Sequence, residues 1–178
     1  MLFARLEMLL RLSMSQDDAD LVRDFREACS LVPAGSNDRV DSVMSVLLSA
    51  TGARAVGWWR RVGEGLELLS VQSVADMPDE VRVGFIAATG RVSMSRIEFG
   101  CVRAAAELRP VVAREDAAQR GLSGSASWLA RFGASQSLAL PIIRDGHAVG
   151  VLAIATADVF DESSSIWQTM SAIVAGLS

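Results

Sequence analysis

With 178 residues, 51% of them apolar and 21% charged, the chain has a globular composition and is long enough to bury roughly 70% of its unfolded surface. A net charge of −4 and a pI near 5.0 exclude the basic stripe of a nucleic-acid binder. Arg60, Arg61, Arg103, Arg109 and Arg114 are scattered among acids and read as solvated faces. No run of about eighteen apolar residues predicts a membrane span, and Cys29, Cys101 and the lone His147 suit neither a disulfide framework, a zinc site nor a Ser-His-Asp triad.

Residues 1–16 read as an N-terminal extension or a short amphipathic helix. Arg5, Glu7 and Arg11 interrupt their apolar run and no small-residue cleavage site follows, so a signal peptide is not expected and a cytoplasmic location is. Residues 17–178 are expected to form one domain. Ser15 or Asp17 can cap a helix whose stripe is Leu21, Phe25, Ala28, Cys29 and Val32, stopped by Pro33 and Gly35. Ser36 opens a second helix, with Val40, Val43, Met44, Leu47 and Leu48 on one face, ended by Gly52. Arg54 to Arg61 reads as a strand, and side-chain alternation sends Trp58 and Trp59 to opposite faces of its sheet. A turn at 62–65 and a returning strand from Leu66 to Val74 complete a hairpin.

Pro78 begins a helix that runs to about Thr89 and stops at Gly90; another short helix covers Phe99 to Leu108. Pro110 leads into a strand ending near Arg114. Glu115 to Ser127, polar and rich in Gly, Ser and Ala, reads as a mobile loop, followed by a helical turn carrying Trp128. Ala134 to Ile143 and Ala148 to Thr156 read as strands joined at Asp145-Gly146, the strongest short-range hairpin signal. Asp161 is expected to cap a final helix striped by Ile166, Met170, Ile173 and Leu177. Hairpins with helices at both ends predict an α+β layered domain.

Several segments resemble the GAF domain family in order and spacing. They are Ser137 to Pro141, Asp145-Gly146, Gly150 to Leu152, and Phe160-Asp161-Glu162 before an amphipathic helix. Upstream, Gly100 to Val112 resembles the family's short helix leading into a strand after a proline. The resemblance covers residues 17–178. It implies an antiparallel sheet with terminal helices on one face and short helices and loops over the other. It also implies a signal-sensing module that binds a small molecule or dimerises through its terminal helices, with no catalysis. Trp167 and Val174, on the outer side of the last helix, would meet the second copy. No kinase, cyclase or DNA-binding segment is read in this sequence, so either a stand-alone module or a sensor working with an effector in trans is expected.

The pocket so implied lies between the sheet and residues 99–132. Its candidate residues are Trp58, Trp59, Phe99, Cys101, Arg103, Trp128, Phe132 and Ser137. The aromatic rings can wall an apolar cavity, Ser137 can supply an oriented polar contact, and Arg103 can pair with a carboxylate or phosphate. A filled core is the competing reading of the same aromatic residues. The alternative function is a cysteine-dependent redox enzyme resembling free methionine sulfoxide reductases, with Cys101 as the thiol. It is disfavoured because residues 121–127 hold no resolving cysteine. His147 reads as an exposed turn residue, and neither the bilin-binding nor the cyclic-nucleotide signature of the family is complete.

Overall fold

The computed structural model describes residues 16–30 and 38–178. Residues 1–15, the stop at Pro33 and Gly35, and the cap at Ser36 lie outside them. Helix α1 spans Gln16–Ser30 and α2 Asp38–Thr51. Strands β1 (Ala55–Val62) and β2 (Gly65–Ser73) form the first hairpin. Then come α3 (Asp79–Thr89), β3 (Arg91–Ser93), α4 (Gly100–Glu107) and β4 (Val111–Ala113). A single 3-10 turn at Glu115–Ala117 precedes α5 (Ser123–Phe132). The chain closes with β5 (Gln136–Arg144), β6 (His147–Thr156) and α6 (Ser165–Leu177).

The six strands make one antiparallel sheet in the order β3-β2-β1-β6-β5-β4. Its organising turn joins β5 to β6. Asp145 at φ 51° and Gly146 at φ 75° both take the left-handed conformation that a two-residue hairpin of matching twist requires. Leu138 then pairs with Ile154, and Leu140 with Leu152. In the first hairpin the register skips Leu69 between the Trp58–Ser70 and Trp59–Leu68 pairs, a bulge in β2.

Helices α1, α2 and α6 cover one face. Phe25 and Leu21 of α1, Met44 and Leu47 of α2, and Met170 and Ile173 of α6 pack on Val56, Trp58, Leu138, Leu140, Leu152 and Ile154. Phe25 meets the Trp58 ring at 5.7 Å. The arrangement follows from periodicity: each helix presents one stripe, and each strand sends alternate side chains to this face. The opposite face is covered by α3, α4 and α5, with a second core built on Trp59, Leu66, Val102, Val111 and Leu129.

Three local expectations change. The final helix is capped by Ser164, whose Oγ accepts from the Trp167 N–H at 3.2 Å. Asp161 instead accepts from the Ser163 N–H and hydroxyl in the preceding turn. The supposed mobile loop is helical from Ser123 onward. Its small residues serve close packing: a Cβ on Gly124 would lie 3.0 Å from the Phe99 ring. Strand β3, too short to show any period, pairs with the start of β2. Trp167 and Val174 are half-buried against the same core as Phe25, so much of their apolar area is already covered within one chain.

Because Phe25 is fully buried between α1 and the sheet, Phe25→Ala is expected to cost about 3–5 kcal/mol, measured by urea denaturation. A loss under about 1 kcal/mol would show that α1 is not part of the folded core.

Candidate functional site

The three central strands differ in side-chain size between their two faces. Toward the terminal helices they send Val56 and Trp58, Leu152 and Ile154, and Leu138 and Leu140. Toward α3, α4 and α5 they send Ala55 and Gly57, Ala153 and Ala155, and Ser137 and Ala139. The register makes these six a contiguous block, with Ala55 opposite Ala155 opposite Ser137, and Gly57 opposite Ala153 opposite Ala139. Ala55, Ala139 and Ala155 pack into the core on this side, and the short side chains leave room beneath the rings of α3 and α5. The gap is a cavity of about 70 Å³.

Rings roof it from above. Phe85 of α3 lies edge-on to Trp59 at 6.1 Å, to Trp128 at 5.1 Å and to Phe132 at 5.0 Å. Trp128 and Phe132, one helical turn apart on α5, are 5.9 Å from each other. Such edge-to-face contacts suit the ring quadrupoles and hold the roof in one arrangement. Phe99, Gly100 and Cys101 at the start of α4, with Ser125 and Leu129 of α5, complete the wall. Trp59 lies down over its own strand, so a Cβ on Gly57 would come within 2.5 Å of its ring. The indole N–H donates to the Thr89 carbonyl at 3.0 Å, and the Thr89 hydroxyl donates to the Phe85 carbonyl at 2.8 Å.

Of the eight residues expected at the site, Trp59, Phe99, Cys101, Trp128, Phe132 and Ser137 line this cavity. Trp58 does not, because alternation along β1 puts it against Phe25 on the far face. Arg103 does not either. Its guanidinium donates to the carbonyls of Ile97, Arg120 and Gly121 at 3.2, 3.0 and 2.6 Å. It ties α4 to the segment before α5 and is not aimed at the cavity. Phe85 and Thr89 were missed, since the cover of the pocket was sought only in residues 99–132. The other five floor residues were missed because the strands were read for hydrophobicity and not for size.

The wall is almost wholly apolar. The polar side-chain groups of its lining residues are the Ser125 hydroxyl, which accepts from the Gly100 N–H at 2.8 Å, the hydroxyls of Ser137 and Thr89, the Trp59 N–H and the Cys101 thiol. Burial pushes that thiol up to about 12, since a thiolate there would lose its hydration with no cation to replace it. No group of His, Cys, Asp and Glu among the described residues could hold a metal. His147 is exposed in the β5–β6 turn, its Nδ1 2.8 Å from the Asp145 carbonyl. No helix among the described residues is long and apolar enough to cross a membrane.

An antiparallel sheet with terminal helices on one face and a cavity under short helices on the other is an α+β architecture shared with known domains. The chain belongs to the GAF domain family, whose signature matches residues 37–175. Among solved structures, the GAF domain of A. aeolicus nlh2 in an inactive state aligns over 93% of both chains, at 17% identity and a TM-score of 0.62. The phycoerythrobilin-bound GAF domain from a cyanobacterial phytochrome aligns over 92% of this chain and 93% of its own, at 12% identity and 0.63. The free methionine-R-sulfoxide reductase of Neisseria meningitidis in complex with its substrate aligns over 93% and 92%, at 20% identity and 0.56. At these identities the likeness is one of fold. The curated proteins contain no match to the chain.

The sequence holds 17 arginines, no lysine and no tyrosine, so between about pH 9 and pH 12 the cysteines are the side chains that titrate. The folded Cys101 holds its proton up to about 12, whereas the unfolded thiol releases it near 8.5. The unfolded state therefore binds fewer protons in this window, and stability falls as pH rises through it. The expected result is a denaturation midpoint that declines above about pH 9, with the decline reduced in Cys101→Ala. An unchanged decline in that variant would contradict the burial of the thiol.

Proposed function

We propose that this GAF domain is a non-catalytic regulatory module, a single unit over residues 17–178, that senses a small molecule held between the sheet floor and the rings of α3 and α5. The observation that carries this reading is the block of six short side chains under an aromatic roof. A filled core is the default for a sheet packed on helices, because an unfilled space forfeits contacts on every side. A cavity walled by aromatic residues with a few hydroxyls is what small-molecule sites are made of. Ligand contacts are assigned to Trp59, Phe85, Phe99, Trp128, Phe132 and Ser137.

The redox alternative is supported by the structural neighbour that is a methionine-R-sulfoxide reductase. Against it stands the chemistry of Cys101. The attacking species in thiol chemistry is the thiolate, and a thiol raised to about 12 by burial holds almost none at neutral pH. The same buried, reduced thiol suits a cytoplasmic location, which we take as part of this reading. Homodimerisation through α1 and α6, with an effector engaged in trans, also belongs to it. The surface left for a second copy is the outer part of the two helices, around the half-buried Ile166, Trp167 and Val174.

Native mass spectrometry of protein purified from its own source, followed by thermal melting, tests this reading. A co-purifying small molecule is expected. Adding it at one hundred times its Kd is expected to raise Tm by about 5–10 °C. Loss of that shift in Ala153→Leu would place the molecule over the floor, and a full shift in that variant would place it elsewhere. Thiol-dependent turnover of free methionine sulfoxide that vanishes in Cys101→Ser would overturn the non-catalytic assignment. Sedimentation is expected to show a dimer at tens of micromolar, and a monomer there would remove the dimer.

A further inference from the structure

We infer that the cavity selects a neutral molecule of about single-ring size carrying one or two hydrogen-bonding atoms, and that the hydroxyls of Ser137 and Ser125 read those atoms. This deepens the sensory reading above and rests on it.

Charge is the first criterion. No side chain lining the cavity is ionised at neutral pH. The arginines around the site are committed elsewhere, and Arg96, over the Phe99 ring, pairs with Glu98. Arg103 donates to three backbone carbonyls. Arg54 is held by the Phe132 carbonyl and by Asp76. Arg131 lies against the Trp128 ring, 4.7 Å from its centroid, from outside the cavity. A carboxylate, phosphate or ammonium entering here would lose its water and gain no counter-ion, which strongly opposes binding. Nucleotides and zwitterionic amino acids, methionine sulfoxide among them, are excluded on this ground.

Hydrogen-bonding capacity is the second. The Trp59 N–H and the Thr89 hydroxyl hydrogen are both engaged by backbone carbonyls. Ser125 accepts from the Gly100 N–H and keeps its own hydrogen to donate. The Ser137 hydroxyl makes no hydrogen bond to any described residue. The two hydroxyls come from opposite walls, one on α5 above and one on the floor strand β5. A ligand atom between them meets donors from two sides, and the rest of its surface meets carbon.

Size and shape are the third. A space of about 70 Å³ is a few times what one water occupies by this measure, and less than the roughly 150 Å³ of an engineered apolar cavity known to take benzene. A single ring fills it with small shifts of the roof. A fused or drug-sized ligand does not. Phe85, Trp128 and Phe132 already meet edge-to-face, a geometry into which one more flat ring fits.

The test is isothermal titration and tryptophan fluorescence of the full chain with benzene, phenol, benzoate and methionine sulfoxide. Phenol is expected to bind with a fluorescence change, and benzoate at least about tenfold more weakly. Ser137→Ala is expected to weaken phenol several-fold while leaving benzene unchanged. Ala153→Val, which raises the floor with a residue suited to a strand, is expected to weaken both. Its far-ultraviolet circular dichroism and melting would show the fold retained. If benzoate or methionine sulfoxide binds as tightly as phenol and Ala153→Val weakens it, the neutral class is wrong and the sensory site stands. If none of the four binds to wild type, the neutral single-ring class is overturned and the cavity loses its support as a ligand site. Equal phenol binding by wild type and Ser137→Ala would remove the assigned role of that hydroxyl.

Discussion

Six short side chains at the centre of the sheet determine what this molecule can do. Ala55, Gly57, Ala153, Ala155, Ser137 and Ala139 share one face across three neighbouring strands. Residues of ordinary core size at the same positions would meet the rings of α3 and α5, and the layer would close. With alanine, glycine and serine there, Trp59 lies flat along its strand and Phe85, Trp128 and Phe132 bridge the gap by touching one another. An unfilled space costs dispersion contacts on all its walls. It persists here because the roof is self-supporting: edge-to-face ring contacts and the Trp59–Thr89 hydrogen bond hold it without help from the floor.

The other face of the same strands carries the stability that lets this one stay open. Large residues alternate with small ones, so each floor alanine is flanked along its strand by a fully buried leucine, isoleucine or valine turned toward α1, α2 and α6. Burial of these residues contributes roughly 1.5–3 kcal/mol for each large apolar side chain. The sheet is thus clamped from one side, and its opposite face is free to keep a space. The clamp also links site to helices through the thickness of a single sheet: Trp58 and Trp59 are consecutive, one against Phe25 and one over Gly57. A ligand that moved Trp59 would be felt at the surface where a second copy or an effector is proposed to dock.

Much of this architecture was legible before any coordinates. Asp145-Gly146 announced the main hairpin, and the period of alternation sent the two tryptophans to opposite faces. The stripes on α1, α2 and α6 marked the helix-covered layer. Other features were written in a form that hydropathy does not show. Alanine and leucine both count as apolar, so a pattern sensitive only to polarity passes over the size alternation in Leu138-Ala139-Leu140 and Leu152-Ala153-Ile154. Arg103 was read as a solvated side chain that could also pair with an anion, because its residue type suits both roles. Its actual partners are backbone carbonyls brought close by the turn at Gly121, a tertiary fact with no local trace. Gly124 and its serine neighbours were taken for flexibility, although their smallness serves the approach of Phe99.

The central claim is physical: the space between floor and roof is present in the folded protein and is accessible to a small apolar probe. A crystal structure determined under xenon pressure tests it directly. Xenon settles in dry apolar cavities that protein atoms leave unfilled. The account predicts one well-occupied xenon atom over Ala139 and Ala153, beside the Trp59 ring that covers Gly57 and beneath Phe85 and Phe132, with the roof rings in the positions described here. An unoccupied site with Phe85 or Trp128 packed down onto the alanines would show a filled core, and the cavity that carries the functional reading would not exist.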